Sequence, residues 1–140
     1  ATIMTEKGAD NCHIDLRNPS PTGFEVRVEE DTECDGRHVA YETIGYIAMT
    51  PGTYILRGAT LFAYKVSADH NWKSVVFPRP FLSTPVIVAT IMTENDTDNC
   101  HIDLRKPLTI GFEARVEEDI PLDGTHTYET IGYIAVTKSP

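Results

Sequence analysis

The octapeptide Asp10-Asn11-Cys12-His13-Ile14-Asp15-Leu16-Arg17 occurs again, unchanged, at Asp98 to Arg105. Its surroundings return with it. Ala1 to Glu6 reappears as Ala89 to Glu94, Gly23-Phe24-Glu25 as Gly111-Phe112-Glu113, and Tyr41 to Ala48 as Tyr128 to Ala135. Aligning residues 1–50 with 89–137, with one gap opposite Val39, gives 35 identities in 49 pairs. Residues 1–50 and 89–137 are thus two copies of one module. The period of 88 residues is long enough for one small β-sandwich of about six strands.

Within each copy the apolar residues alternate. Cys12, Ile14 and Leu16 point one way, and His13, Asp15 and Arg17 the other. Phe24, Val26 and Val28 alternate with Glu25, Arg27 and Glu29. A period of two marks half-buried strands. Tyr41 to Thr50 is β-branched and aromatic without clean alternation, which predicts a strand covered on both sides. Thr53–Leu56, Thr60–Val66, Trp72–Phe77 and Val86–Thr93 add strands that have no earlier copy. No segment combines helical period with caps. The chain is therefore expected to be all-β, an antiparallel sandwich built from a duplicated module. Residues 1–51 form a partial module holding only its later strands, and residues 52–140 a complete one.

A sandwich without its first strands leaves unpaired edges and an open core. Three arrangements would account for it: a chain cut from a longer tandem protein, strands donated by another chain, or residues 53–88 serving the first copy. Each implies assembly, so self-association into an oligomer or fibre is expected.

The net charge of −9 lacks the basic footprint that nucleic acid or anionic membrane surfaces require. No apolar run approaches the roughly 20 residues of a membrane span. Three cysteines, Cys12, Cys34 and Cys100, do not make a disulfide scaffold. One glycosylation sequon, Asn95-Asp96-Thr97, has Lys7-Gly8-Ala9 as its counterpart in the first copy.

Residues 72–137 resemble the H-type lectin domain. The resemblance rests on Val75-Val76-Phe77-Pro78-Arg79-Pro80-Phe81, Thr84-Pro85-Val86-Ile87-Val88, Thr109 to Arg115, and Thr130 to Val136. Residues 22–50 resemble the latter half of that domain. The resemblance implies a six-stranded sandwich, association as a trimer, and binding of N-acetylgalactosamine or a related sugar between subunits. Those lectins carry an aromatic residue and a histidine just after the Gly-Phe strand. Here Glu117-Glu118-Asp119-Ile120 and Glu29-Glu30-Asp31-Thr32 stand there, so the sugar-binding residues do not carry over.

The candidate carbohydrate-binding surface is the outward row His13, Asp15, Arg17 with its copy His101, Asp103, Arg105. Asp and Arg offer planar acceptors and donors, and neutral His offers one of each. The competing reading is a solvated sheet face with cross-strand ion pairs to Glu25 and Arg27, or Glu113 and Arg115. Trp72 is either a platform for a sugar ring or the start of a core strand. The acidic stretches Glu29, Glu30, Asp31, Asp35 and Glu117, Glu118, Asp119, Asp123 have calcium-type ligands, against the simpler reading of solvated loops. His38 and His126 are equivalent positions, and His38 together with His13 and Asp15 is a weak zinc candidate. Cys12 and Cys100 read as small buried hydrophobes. Neither a nucleophile beside a base nor a phosphate-binding loop is present at convincing spacing. The expected function is non-catalytic, multivalent glycan binding by a secreted or surface-displayed protein. The alternative is a structural or adhesive subunit completed by strands from another chain.

Overall fold

The computed structural model describes residues 1–5, 7, 12–30, 38, 40–96, 98–118 and 124–138. Among these the chain is all-β, with eleven strands and no helix. Each copy begins with a short strand and a hairpin. In the first these are β1 (Thr2–Ile3), β2 (Cys12–Ser20) and β3 (Gly23–Glu30), followed by β4 (Ile44–Gly45). The connecting segment gives β5 (Gly52–Leu56), β6 (Ala59–Ala68) and β7 (Lys73–Val76). The second copy contributes β8 (Val86–Ile91), β9 (Cys100–Leu108), β10 (Gly111–Glu118) and β11 (Glu129–Lys138).

The second copy is a two-layered antiparallel sandwich. One sheet runs β5-β6-β11-β8 and the other β7-β10-β9. Its core is aromatic: Phe62, Phe77, Phe81, Phe112 and Tyr133 are all buried, with Val116 and Ile131 fully enclosed. The period-two pattern explains this. Along β11, Ile131, Tyr133 and Ala135 alternate inward, and along β10, Phe112, Ala114 and Val116 do the same. Gly111 has a steric reason to be glycine. A Cβ there would overlap the carbonyl oxygen of Val75 and lie 3.3 Å from the Cα of Val76. The neighbouring β7 can approach only because that atom is missing.

The first copy repeats the pairing but not the sandwich. Its hairpin pairs Ile14 with Val28, Asp15 with Arg27 and Arg17 with Glu25, as the second pairs Ile102 with Val116, Asp103 with Arg115 and Arg105 with Glu113. Both hairpins have a register irregularity before the turn, and both place a non-glycine residue at positive φ there, Asn18 at 52° and Lys106 at 49°. The β1–β4 pairs, Thr2 with Gly45 and Ile3 with Ile44, match Thr90 with Gly132 and Ile91 with Ile131. β2-β3 and β1-β4 remain two separate two-stranded sheets.

Of the three arrangements considered, residues 53–88 serving the first copy is not what forms, because β6 pairs with β11 and β7 with β10. One expectation fails at this point. Tyr41–Thr50 is not a long strand covered on both sides. Only Ile44–Gly45 is strand, and Tyr46, Ile47 and Met49 are exposed. The cause is a missing neighbour. β11 pairs with β6 over ten residues and with β8 over six, whereas its counterpart pairs with β1 alone.

Candidate functional site

The octapeptide that defines the repeat forms β2 in one copy and β9 in the other, and the hairpin alternation sends His, Asp and Arg to one face. Arg27 lies across the strand from Asp15, with Nε 2.8 Å from Asp15 Oδ2 and Nη2 2.5 Å from Glu29 Oε2. Arg115 repeats this with Asp103 at 2.9 Å and Glu117 at 2.5 Å. Arg17 pairs with Glu25 at 2.8 Å and Arg105 with Glu113 at 2.5 Å. The sheet-face ion pairs read from the sequence are thus formed in both copies.

The two rows meet different neighbours. The first faces the second copy across a cleft of about 140 Å³, whose walls include His13, Asp15, Arg27 and Glu29 on one side and Glu94 and His101 on the other. Glu94 bridges the cleft. Its carboxylate accepts from Arg17 Nη1 and from Arg27 Nη2, each at 2.8 Å. Asn99 Nδ2 donates to the Glu30 carbonyl at 3.1 Å, a second link between the copies. Of the second row, His101 lines this same cleft, whereas Arg105 and its cross-strand neighbour Arg115 meet Trp72. The Arg105 guanidinium lies 3.8 Å from the indole centroid and that of Arg115 4.8 Å, both within cation–π range. Trp72 therefore belongs with Arg105 and is not part of the cleft.

Enclosure changes the chemistry of the first row. Side-chain exposure of Asp15 and Glu29 is 24% and 21%, against 34% and 40% for Asp103 and Glu117. Burial, then a hydrogen bond shared with Asp15, pushes the Glu29 carboxyl up to about 7. Burial acts upward on Asp15 too, but its hydrogen bonds with Glu29 and Arg27 outweigh it and hold Asp15 below the usual carboxylate range. Of the two carboxyls, Glu29 is therefore the one that takes up a proton more readily. Asp103 is also lowered, by its hydrogen bond with Glu117 and by Arg115.

Among the described residues, two groups bring potential cation ligands together. His13, Asp15 and Glu29 form one, and His101, Asp103 and Glu117 the other, with ligand atoms within 4.8 Å of one another in each. In both, an arginine already supplies positive charge to the carboxylates. Glu30 and Glu118 point the opposite way from Glu29 and Glu117, into the interior. Asp31, Asp35, Asp119 and Asp123 lie outside the described residues, as does Cys34. Cys12 and Cys100 are half-buried rather than enclosed, and Cys100 packs on the core.

His38 and His126 occupy equivalent buried triads. Nδ1 of His126 is 3.3 Å from Glu118 and Nε2 is 3.3 Å from Glu129. Nδ1 of His38 is 3.5 Å from Glu30 and Nε2 is 3.2 Å from Glu42. The zinc grouping of His38 with His13 and Asp15 is not what forms, because both nitrogens of His38 are turned to glutamates. Glu129 also accepts from Thr93 Oγ1 and, at 2.7 Å, from the Asn95 amide; Glu42 accepts from Thr5 Oγ1 and the Lys7 amide at 2.7 Å. These hydrogen bonds lower the Glu42 carboxyl, that from Thr5 most. The triads tie the first strand of each copy to its last. The spacing of His38 and His126 past an Asp-Gly pair was visible in the sequence; their glutamate partners were not, because these come from separate strands and loops.

No helix among the described residues is long and apolar enough to cross a membrane. No family model matches the chain, and no solved structure matches it. The sequence is similar to Halomucin of Haloquadratum walsbyi (strain DSM 16790 / HBSQ001), at 31% identity over 132 residues. The match takes in 90% of this chain and 1% of Halomucin, so the chain spans a very small part of the relative it resembles.

Proposed function

We propose that the chain is a non-catalytic carbohydrate-binding module of an extracellular protein, with the cleft between its two copies as the binding site. The observation that supports this is the convergence there of fixed planar groups from both copies: Asp15, Arg27 and Glu29 across from Glu94, with His13 and His101 at the sides. Sugar hydroxyls are both donors and acceptors, and they are discriminated by charged partners held in one geometry. Arg27 is held by three carboxylates, so it meets a ligand without first being ordered. The resemblance to H-type lectins favours the same ligand class, and the similarity to Halomucin favours an extracellular setting.

The test is a glycan array followed by calorimetry with the free sugars that score, N-acetylgalactosamine among them. Binding displaced by free sugar, and weakened roughly 10–100-fold by Asp15→Ala through loss of a charged hydrogen bond, supports the reading. Binding to no glycan, or binding that Asp15→Ala leaves unchanged, removes it.

A second reading is a structural assembly subunit. It is favoured by the exposed apolar face of the first copy, where Tyr46 and Val26 are 62% and 39% exposed.

A further inference from the structure

The exposed face of the first copy has a counterpart that is covered. In the second copy, Phe112 and Tyr133 meet edge to face at 5.1 Å and 75°, with Phe77 packed against both, and are 4% and 5% exposed. In the first, Phe24 and Tyr46 keep the same arrangement at 4.9 Å and 77°, yet Tyr46 is 62% exposed. Val26, the counterpart of Ala114, is 39% exposed where Ala114 is fully buried. The side chains of a sandwich core are present on this face, and the strands that would lie over them are not among the described strands.

Gly23 carries separate evidence. It is the counterpart of Gly111, the residue whose Cβ would collide with the backbone of β7. At Gly23 nothing lies within 4 Å of a built Cβ, and its φ is not positive. Neither space nor backbone conformation calls for glycine there. A strand approaching as β7 approaches Gly111 would call for it.

We infer that this face is the docking surface for a β6–β7-type strand pair belonging to a further module of the same repeat. The inference deepens the assembly reading and is independent of carbohydrate binding. The shape is set by the repeat itself, since the hairpin and the β1–β4 pairing keep the registers of the complete copy. The partner would bring a strand along β3, opposite Gly23, and a second along the β4 segment, with phenylalanines equivalent to Phe62 and Phe77 over Phe24 and Tyr46. A second copy of this chain is a poor donor. It has one such segment, β6 and β7, and its own second copy already pairs with both. Lending them would open one sandwich to close another, with no net gain in buried surface.

The experiment is to join a duplicate of residues 52–88 ahead of residue 1 and compare the extended chain with the original, each with and without Gly23→Val. In the original chain the substitution should leave the melting temperature unchanged, because the space is open. In the extended chain the added segment should raise the melting temperature and protect the first copy from protease by roughly tenfold or more, and Gly23→Val should abolish both gains. Equal behaviour of the extended and original chains, or a gain that Gly23→Val leaves intact, overturns the inference. So does an original chain that self-associates through this face and becomes monomeric on Gly23→Val, since a second copy would then be the donor. None of these readouts involves sugar, so they fail or succeed apart from the glycan array.

Discussion

Arg27 Nη2 lies 2.8 Å from Glu94 Oε1, an ion pair that joins the hairpin of the first copy to the strand exit of the second. Arg17 grips the other oxygen of the same carboxylate. Glu94 corresponds to Glu6, and Arg17 and Arg27 to Arg105 and Arg115, which meet Trp72. Duplicated residues have thus been put to a different use, as a clamp between modules.

Breaking the clamp should loosen the relation between the copies more than it lowers stability. Both arginines are half exposed, so Glu94→Ala should cost no more than about 1 kcal/mol of stability. Small-angle scattering should show a broader distribution of dimensions for the variant. The wild type should approach it in about 1 M salt, where the screening length falls to roughly 3 Å.

Gly111→Val should be strongly destabilising, because the new side chain overlaps the Val75 carbonyl and pushes β7 away. A cost of about 1–3 kcal/mol or more is expected from overpacking, read as a drop in the urea midpoint.

His126→Ala should be among the most damaging substitutions in the second copy. It leaves Glu118 and Glu129 buried without their imidazole, and a buried polar group stripped of its partner costs about 1–3 kcal/mol. Thermal denaturation of His126→Ala beside His126→Gln, which restores one donor, checks this. The glutamine should recover part of the loss.

Glu29 predicts a pH dependence of defined sign. Its folded value of about 7 lies above the ordinary 4.5, so the folded state holds the proton more tightly than the unfolded state. That contribution is complete below about 4.5 and is lost as pH rises through about 7. Asp15 acts oppositely: it lies below its ordinary 3.8, so its contribution is present above that value and lost on acidification beneath it. Melting temperatures from pH 4 to 9 should show a decline towards neutrality in the wild type that Glu29→Gln flattens.

The hairpins were legible in the sequence because alternation of Ile14 and Leu16 with His13, Asp15 and Arg17 determines which side of a strand faces a core. The shared face of Asp15, Arg17, Glu25 and Arg27 followed from the same period; which of them pair was decided by the register of the hairpin. The extent of Tyr41–Thr50 as strand did not follow, since a strand's length depends on the neighbour it pairs with. The glutamates around His38 and His126 were equally hidden, because Glu30 and Glu42, like Glu118 and Glu129, lie on segments that only folding brings together.

The repeat allows one further separation of causes, since identical octapeptides sit in two surroundings. By itself the sequence determined an all-β chain, the duplicated module, its strand order, and the faces on which its charged and apolar residues lie. Tertiary structure decided what those faces meet. Leu16 is 8% exposed and Leu104 37%, because Leu16 lines the cleft between the copies and Leu104 does not. Glu29 holds its proton to about 7 because the cleft and Asp15 enclose it. Local pattern sets the direction in which a side chain points; burial, and with it dielectric and charge, depends on residues distant in the chain.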